Sequence, residues 1–316
     1  MRLPIAAILL GLLLTTPALG WGDKGHRTTA AIAFDAMSPA MQQNVAAVLR
    51  EHPRYEQDFA ALMPADIQGD DEVARGRWLL EQASVWPDLI QGRGDDVRQE
   101  YNRSRWHYIN LMVFLTPEDA AALEGELDHN MATEFTKPLR QNLNSVQALR
   151  GNLLIWQDAA ASHAQKAVAL CWILHIVGDM HQPLHNVALF SKAYFPTGDR
   201  GGNDIEVIAA NETKTLHWWW DSLPNEMDDL APSARTLKTV QNDTIDDAAI
   251  EEWLHHHARL AEMFVYPDDV KTQLLDRVTA SMTPQVELSH EYLVRARSIA
   301  RRQINLAGHR IAGLLD

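Results

Sequence analysis

The segment from His175 to His185 constrains this chain more than any other. It reads His-Ile-Val-Gly-Asp-Met-His-Gln-Pro-Leu-His. His175 and Asp179 lie four apart, so on a helix they share one face, one turn apart. Pro183 stops that helix, and His185 follows on the redirected chain. Three imidazoles and a carboxylate within this short span make a poor apolar core but good ligands for a borderline metal such as zinc. The plainer alternative is a buried helix whose histidines are satisfied by ordinary hydrogen bonds.

The chain has 316 residues, 46% of them hydrophobic, enough for a sizeable core. Residues 1–20 are expected to stand outside it. Arg2 precedes an apolar run from Ile5 to Leu14 that is too short to span a bilayer comfortably, and Ala18-x-Gly20 forms a cleavage pattern. This predicts a signal peptide cut after Gly20 and a secreted or periplasmic protein, with a retained anchor as the alternative. No later segment is long and apolar enough to span, so no stable membrane association is expected. Cys171 is the only cysteine, which excludes an intrachain disulfide and reads as a packed thiol in an apolar helix. The formal net charge is −14, one unit more negative without Arg2. Such a chain lacks the broad basic surface of proteins that neutralise phosphates directly. If it handles phosphates, bound cations must supply the local positive charge.

Residues from Trp21 through His26 lead into an Ala-rich helix reaching Phe34. Ser38-Pro39 predicts an N-cap and first helical position, opening a helix to about Glu51. Asp70-Asp71 start another, expected to end near Trp86-Pro87 and to leave Asp88 just beyond it. Residues 105–110 read as extended. Thr116-Pro117-Glu118-Asp119 is a helix start, and helices are expected over 137–158 and 162–179. The Gly-rich residues 197–203 must be a loop, and residues 204–208 alternate as one arm of a small β-hairpin. Further helices are expected over 215–220, 246–265, 268–280 and 283–315, the last with an apolar stripe through Leu293, Ala300, Ile304 and Ile311. With no linker, repeat or low-complexity break, this predicts one mainly α domain over residues 21–316.

The candidate ligands form a set: His26, Asp88, His107, His175, Asp179, His185, His217 and Asp221. They offer only nitrogen and oxygen, which suits zinc and argues against thiolate sites. His175/Asp179 and His217/Asp221 are both i,i+4 pairs. Either alone could be an ordinary helix-surface interaction. Together, in a helical chain with an export signal, they point to metal.

At these positions the sequence resembles the S1/P1 family of zinc-dependent nucleases. The resemblance rests on Trp21-Gly22-x-x-Gly25-His26, Trp86-x-Asp88, His107-Tyr108-Ile109, His175-x-x-Gly178-Asp179-Met180-x-Gln182-Pro183-Leu184-His185, Gly201-Gly202-Asn203 and Leu216-His217-x-x-x-Asp221. It implies the multi-helix fold shared by phospholipase C and P1 nuclease, and three zinc ions. One zinc would be held by Asp88, His107, His175 and Asp179. A second would take Trp21, through its free α-amino group and carbonyl, with His26 and a bridging Asp179. The third would take His185, His217 and Asp221. Trp21 can be such a ligand only if cleavage falls after Gly20. Two zincs joined by Asp179 would acidify a shared water, and the third would bind a phosphate oxygen or stabilise the leaving 3′-oxygen. Asp88 would additionally orient the attacking water as a catalytic residue.

Tyr108 stands where family members stack an aromatic on a base, which favours unpaired bases with little sequence preference. An ordinary half-buried tyrosine is the alternative. Asn110 departs from the acid expected in fungal members and puts base preference in doubt. Asn203 would hydrogen-bond substrate or shape its loop. Trp218-Trp219-Trp220 reads as packing around the zinc, and His255-His256-His257 as a solvated helix face. The missing disulfides suggest a bacterial source. The expectation is a monomeric nuclease acting on single-stranded DNA and RNA, and on 3′-nucleotides, to leave 5′-phosphates. The other readings are a zinc phospholipase C and a non-catalytic periplasmic metal-binding protein.

Overall fold

The structure is a computed structural model that describes residues 21–69, 71–123, 125, 130–136, 138–209, 212–227 and 247–316. Residues 1–20, where a signal peptide is expected, lie outside the described residues, as do Asp70 and Lys137. In chain order the helices are α1 (Asp23–Ala36), α2 (Pro39–Arg50), α3 (Tyr55–Asp58), α4 (Glu72–Leu89), α5 (Asp95–Tyr101), α6 (Pro117–Leu123), α7 (Ser145–Gln157), α8 (His163–Met180), α9 (Leu216–Ser222), α10 (Asp247–Leu260), α11 (Asp268–Thr279) and α12 (His290–Leu315). The strands are β1 (Leu111–Phe114), β2 (Val187–Phe190), β3 (Glu206–Ala209), β4 (Glu212–Thr215) and β5 (Gln285–Glu287). The expected mainly α, single-domain class holds.

Local chemistry explains where the helices begin. The Ser38 hydroxyl accepts from the Met41 amide, with Pro39 at the first helical position. Asn144/Gln147 and Ser162/Gln165 each form a reciprocal capping box at the starts of α7 and α8. The α7 box explains why that helix opens at Ser145 and not near 137: residues 138–143 come before its cap.

Helix α8 is the axis of the molecule. From Ala169 to Met180 every residue is buried, as expected of a helix that is apolar nearly all round. It packs on α1, α2, α4, α7 and α12. One core surrounds it, built from Phe34, Leu79, Trp86, Leu149, Trp172 and Ile176 among others. A second core gathers β1, β2, β3, β5, α9 and α11 around Trp220, Leu223, Tyr266 and Ile304. Helix α12 belongs to both, giving Ala307 and Ile311 to the first core and Ala300 and Ile304 to the second.

The sheets were only partly anticipated. The hairpin exists as antiparallel β3–β4, and β5 joins β3 in parallel, with Glu206 opposite Gln285. This corrects the last helix: residues 285–287 are strand, and α12 starts at His290 behind the Ser289 cap. A second, parallel pair, β1 with β2, joins Leu111 to Val187 and Phe114 to Phe190. Nothing in the alternation of residues 111–114 pointed to it, because both strands are short and β2 is buried throughout.

Helix α1 comes very close to α12 at Gly308. A Cβ there would lie 2.6 Å from Ile32 Cβ and 2.8 Å from the Thr29 carbonyl oxygen. Gly308→Ala is expected to destabilise the protein by about 2 kcal/mol through forced separation of the two helices. The exposed Val294→Ala on the same helix should change it by less than about 0.5 kcal/mol. Denaturant unfolding of both variants checks the contrast.

Candidate metal centre

The site lies at the seam of the two cores, and rigid elements supply its side chains. His26 stands on α1, Asp88 in the last turn of α4, His175 and Asp179 on α8, and His217 and Asp221 on α9. His107 ends a 3₁₀ turn (Ser104–His107), and His185 ends another (Pro183–His185). Residues 105–107 are therefore helical turn, not extended; the chain straightens only at Tyr108. The parallel strand pair then locks the two histidine-bearing turns side by side. The Ile109 amide donates to the His185 carbonyl and the Leu111 amide to the Asn186 carbonyl, both at 2.9 Å.

Asp88 is also not beyond its helix. Helix α4 runs through Pro87 to Leu89. A proline in a last turn removes one ladder bond that the helix can spare. In that turn the Ser84 carbonyl accepts from His175 Nδ1 at 2.8 Å.

Eight polar side chains converge here. Asp179 Oδ1 lies 3.2 Å from His26 Nε2, and its Oδ2 lies 3.1 Å from His107 Nδ1 and 3.2 Å from His175 Nε2. His175 Nε2 and His107 Nδ1 are 2.9 Å apart, and Asp88 Oδ1 stands 3.5 and 3.7 Å from them. A short step away, His217 Nε2 lies 3.3 Å from Asp221 Oδ2, and His185 Nε2 lies 4.0 Å from Asp221 Oδ1. Three groups thus have ligand atoms close enough to share an ion: His26/His175/Asp179, Asp88/His107/His175 and His185/His217/Asp221.

Backbone carbonyls preset the imidazoles. His175 Nδ1 donates to Ser84, His185 Nδ1 to the His107 carbonyl at 2.8 Å, and His217 Nδ1 to the Gly201 carbonyl at 2.6 Å. With the proton fixed on Nδ1, each ring presents a lone pair at Nε2, the usual way a metal-binding histidine is oriented. The Nε2 atoms of His26, His185 and His217 and Oδ1 of Asp179 are buried without a hydrogen-bond partner. Lone pairs pointed at one another at this range repel unless a cation sits between them. The donor set fits divalent metal.

The titration behaviour agrees. Burial pushes Asp179 up, but the His175, His185 and His107 rings around it outweigh that and hold the carboxyl well below its ordinary range. Burial drives His185 down to about 3, only partly offset by Asp179. Burial raises Asp221 to about 6 against the pull of His217 and the Gln182 amide. Asp88 has the most accessible side chain of the set, at 13%, so solvent reaches the centre from its side.

The profile of the family described as S1/P1 Nuclease matches residues 21–316. The chain belongs to the S1/P1 nuclease family. It is similar to Endonuclease 2 of Arabidopsis thaliana, 25% identical over 98% of this chain and 94% of the relative. It is likewise similar to Nuclease S1 of Aspergillus oryzae, 23% identical over 99% of this chain and 96% of the relative. Endonuclease 5 of Arabidopsis thaliana is 24% identical over 100% of this chain and 96% of the relative. As a family member the chain is a nuclease, a hydrolase of phosphoester bonds.

The remaining residues of the family pattern fall as follows. Trp21 is fully buried, and the next amide, Gly22, donates to the Asp221 carbonyl at 2.9 Å, tying the start of α1 to α9. Tyr108 and Asn110 are half-buried and line a small cavity with Asn142 and Asn144. The Asn203 amide donates to the Arg200 carbonyl at 2.9 Å, so its side chain shapes the loop. Trp219 and Trp220 pack inside, but Trp218 is 45% exposed with the Lys214 ammonium over its ring, which corrects the reading of all three as packing. His257 is buried against Gln303 and His181, not solvated, and burial keeps both histidines neutral.

Several supporting residues escaped the sequence reading. Buried Asp199 accepts from the Leu189 and Gly202 amides and the Tyr266 hydroxyl, clamping the loop whose Gly201 carbonyl orients His217. Gln182 accepts from the Leu184 amide and donates to Asp221 at 2.7 Å. The Gln91 amide donates to Asp88 at 3.1 Å. Only the glycines signalled the loop: Gly201 and Gly202 have φ of +61° and +84°, where a side chain is strained.

Gly178 has a job of its own, since a Cβ there would lie 2.6 Å from His26 Nδ1. Gly178→Ala is expected to dislodge the His26 ring and to weaken divalent-metal binding about tenfold or more. Elemental analysis after dialysis, beside a circular dichroism spectrum showing an intact fold, checks it.

Proposed function

We propose that the protein is an exported zinc enzyme that cleaves single-stranded DNA and RNA to 5′-phosphorylated products and removes phosphate from 3′-nucleotides. The observation that carries this reading is the triple cluster itself: buried, preset imidazoles and carboxylates left unpartnered around Asp179. Asp88, His107, His175 and Asp179 would hold one zinc. Trp21, His26 and Asp179 would hold a second, and His185, His217 and Asp221 a third. His175 Nε2 stands within reach of the first two groups. The second assignment requires the chain to begin at Trp21, with a free α-amino group. The apolar run before Ala18-x-Gly20 and a family match opening at residue 21 support that processing.

Zinc bound here supplies Lewis acidity, acidifying water and neutralising charge that builds on the phosphate. The protein supplies the rest. Asp88, at the solvent-facing side and held by Gln91, accepts a hydrogen bond from the attacking water and orients it. Tyr108 offers its ring to an unpaired base, and Asn110, with both donor and acceptor, meets the base edge. The loop of Asn203, clamped through Asp199, keeps His217 aligned.

Metal-replete protein offered single-stranded DNA, a 3′-mononucleotide and phosphatidylcholine is expected to hydrolyse the first two and not the third, with all turnover lost to a chelator. Diglyceride release with DNA left intact would sink the reading. Retaining one extra residue before Trp21 should lower activity about tenfold or more through loss of the amino-terminal ligand. Mass spectrometry paired with the nuclease assay decides that point, since full activity in the extended protein would remove Trp21 from the ligand set.

A further inference from the structure

Beside the Ser104–His107 turn opens a cleft of about 570 Å³ whose walls carry Arg98, Arg103 and Arg105, with Asp95, Asn102 and Asn142. It adjoins the Tyr108/Asn110 cavity, and the two share Arg105 and Asn142 in their walls. In a chain with 28 basic against 42 acidic residues, three guanidinium groups around one cleft are a local reversal of sign.

Among the described residues only one of these three charges is ion-paired. Arg98 pairs with Asp95 at the first turn of α5. Arg103 donates to the Asn102 and Glu100 carbonyls and lies over the Trp106 ring, which fixes its guanidinium and leaves other N–H groups free. Arg105 makes no hydrogen bond or ion pair among the described residues, although it stands two residues from His107. A solvated arginine needs no partner, but one placed between the small cavity at Tyr108 and a cleft edged by two more arginines sits where a phosphodiester would cross.

We infer that this cleft is a phosphate-backbone subsite for the part of a polynucleotide on the 5′ side of the nucleotide seated at Tyr108. The inference rests on the proposed nuclease reading: a nucleotide with its 3′-phosphate at the metal ligands and its base at Tyr108 directs its 5′-phosphate away from the metals. A basic groove leading from an aromatic platform is the arrangement that binds single strands without reading sequence. It makes this protein prefer oligonucleotides over mononucleotides. Only the cleft separates the two substrate classes, since both present the same phosphate and base to the centre.

The test compares KM for a twelve-nucleotide oligothymidylate with KM for 3′-thymidine monophosphate. In Arg105→Ala the ratio of the two should rise about tenfold at low salt, and the salt dependence of oligonucleotide KM should lose about one phosphate's share. Arg98→Ala should move the ratio the same way. Asp95→Asn, which frees Arg98, should lower oligonucleotide KM two- to threefold. Both arginine variants lie on exposed surface and keep the fold. Equal changes for both substrates, or none, would overturn the subsite. If the wild-type protein hydrolyses neither substrate, the nuclease reading fails separately. Anisotropy of a labelled phosphorothioate oligothymidylate then still tests the cleft: binding weakened in Arg105→Ala supports it, and equal binding refutes it.

Discussion

Asp179 is a carboxylate with no exposed surface in the last turn of α8, within a stretch buried from Ala169 to Met180. Isolated burial of an ionised carboxylate costs several kcal/mol even after relaxation. That cost dictates the surroundings. Both carboxylate oxygens face imidazoles brought from α1, from the turn before β1 and from α8 itself. Neutral imidazoles alone offset only part of the cost, and several of their nitrogens stay unpartnered. Divalent cations satisfy carboxylate and imidazole together, so cation binding and the packing of the centre are one problem with one solution.

Positioning follows from how the two cores meet. Helix α8 belongs to one core and α9 to the other, while α1 and α12 reach both. A side chain on any of these cannot shift without moving packed neighbours. The two turns that carry His107 and His185 are the less regular parts, and the parallel strands behind them supply the stiffness their length cannot. The loop opposite α9 is held differently, by a buried Asp199–Tyr266 hydrogen bond. Tyr266 directly follows a π-helical turn (Ala261–Val265), and such turns commonly occur at functional sites. Rigid elements outside and polar clamps inside together keep ligand atoms near one another before any ion arrives.

The residues of the cluster were legible in the sequence because each class leaves a local trace. His175/Asp179 and His217/Asp221 share helical faces, and both pairs are found where their spacing put them. Asp88 was identified as a residue but misplaced, since Pro87 reads as a stop and a last helical turn tolerates it. The β1–β2 pair was not legible: its partners are some seventy residues apart, and neither strand alternates. Asp199 was invisible for a similar reason, because its value depends on a tyrosine 67 positions away. His257 looked exposed in a histidine run, but a run cannot tell which of its members faces inward.

The backbone bond from the Gly22 amide to the Asp221 carbonyl has a bearing on the timing of biosynthesis. It joins the residue before α1 to one some two hundred positions later, and contacts of such separation form late because their loops close last. Until residue 221 has been made, α9 has no docking partner for the first turn of α1, and the His185 cluster lacks two of its three members. A nascent chain therefore carries the opening ligands without the centre they serve. Assembly of the centre waits on closure of the long loop between Gly22 and Asp221.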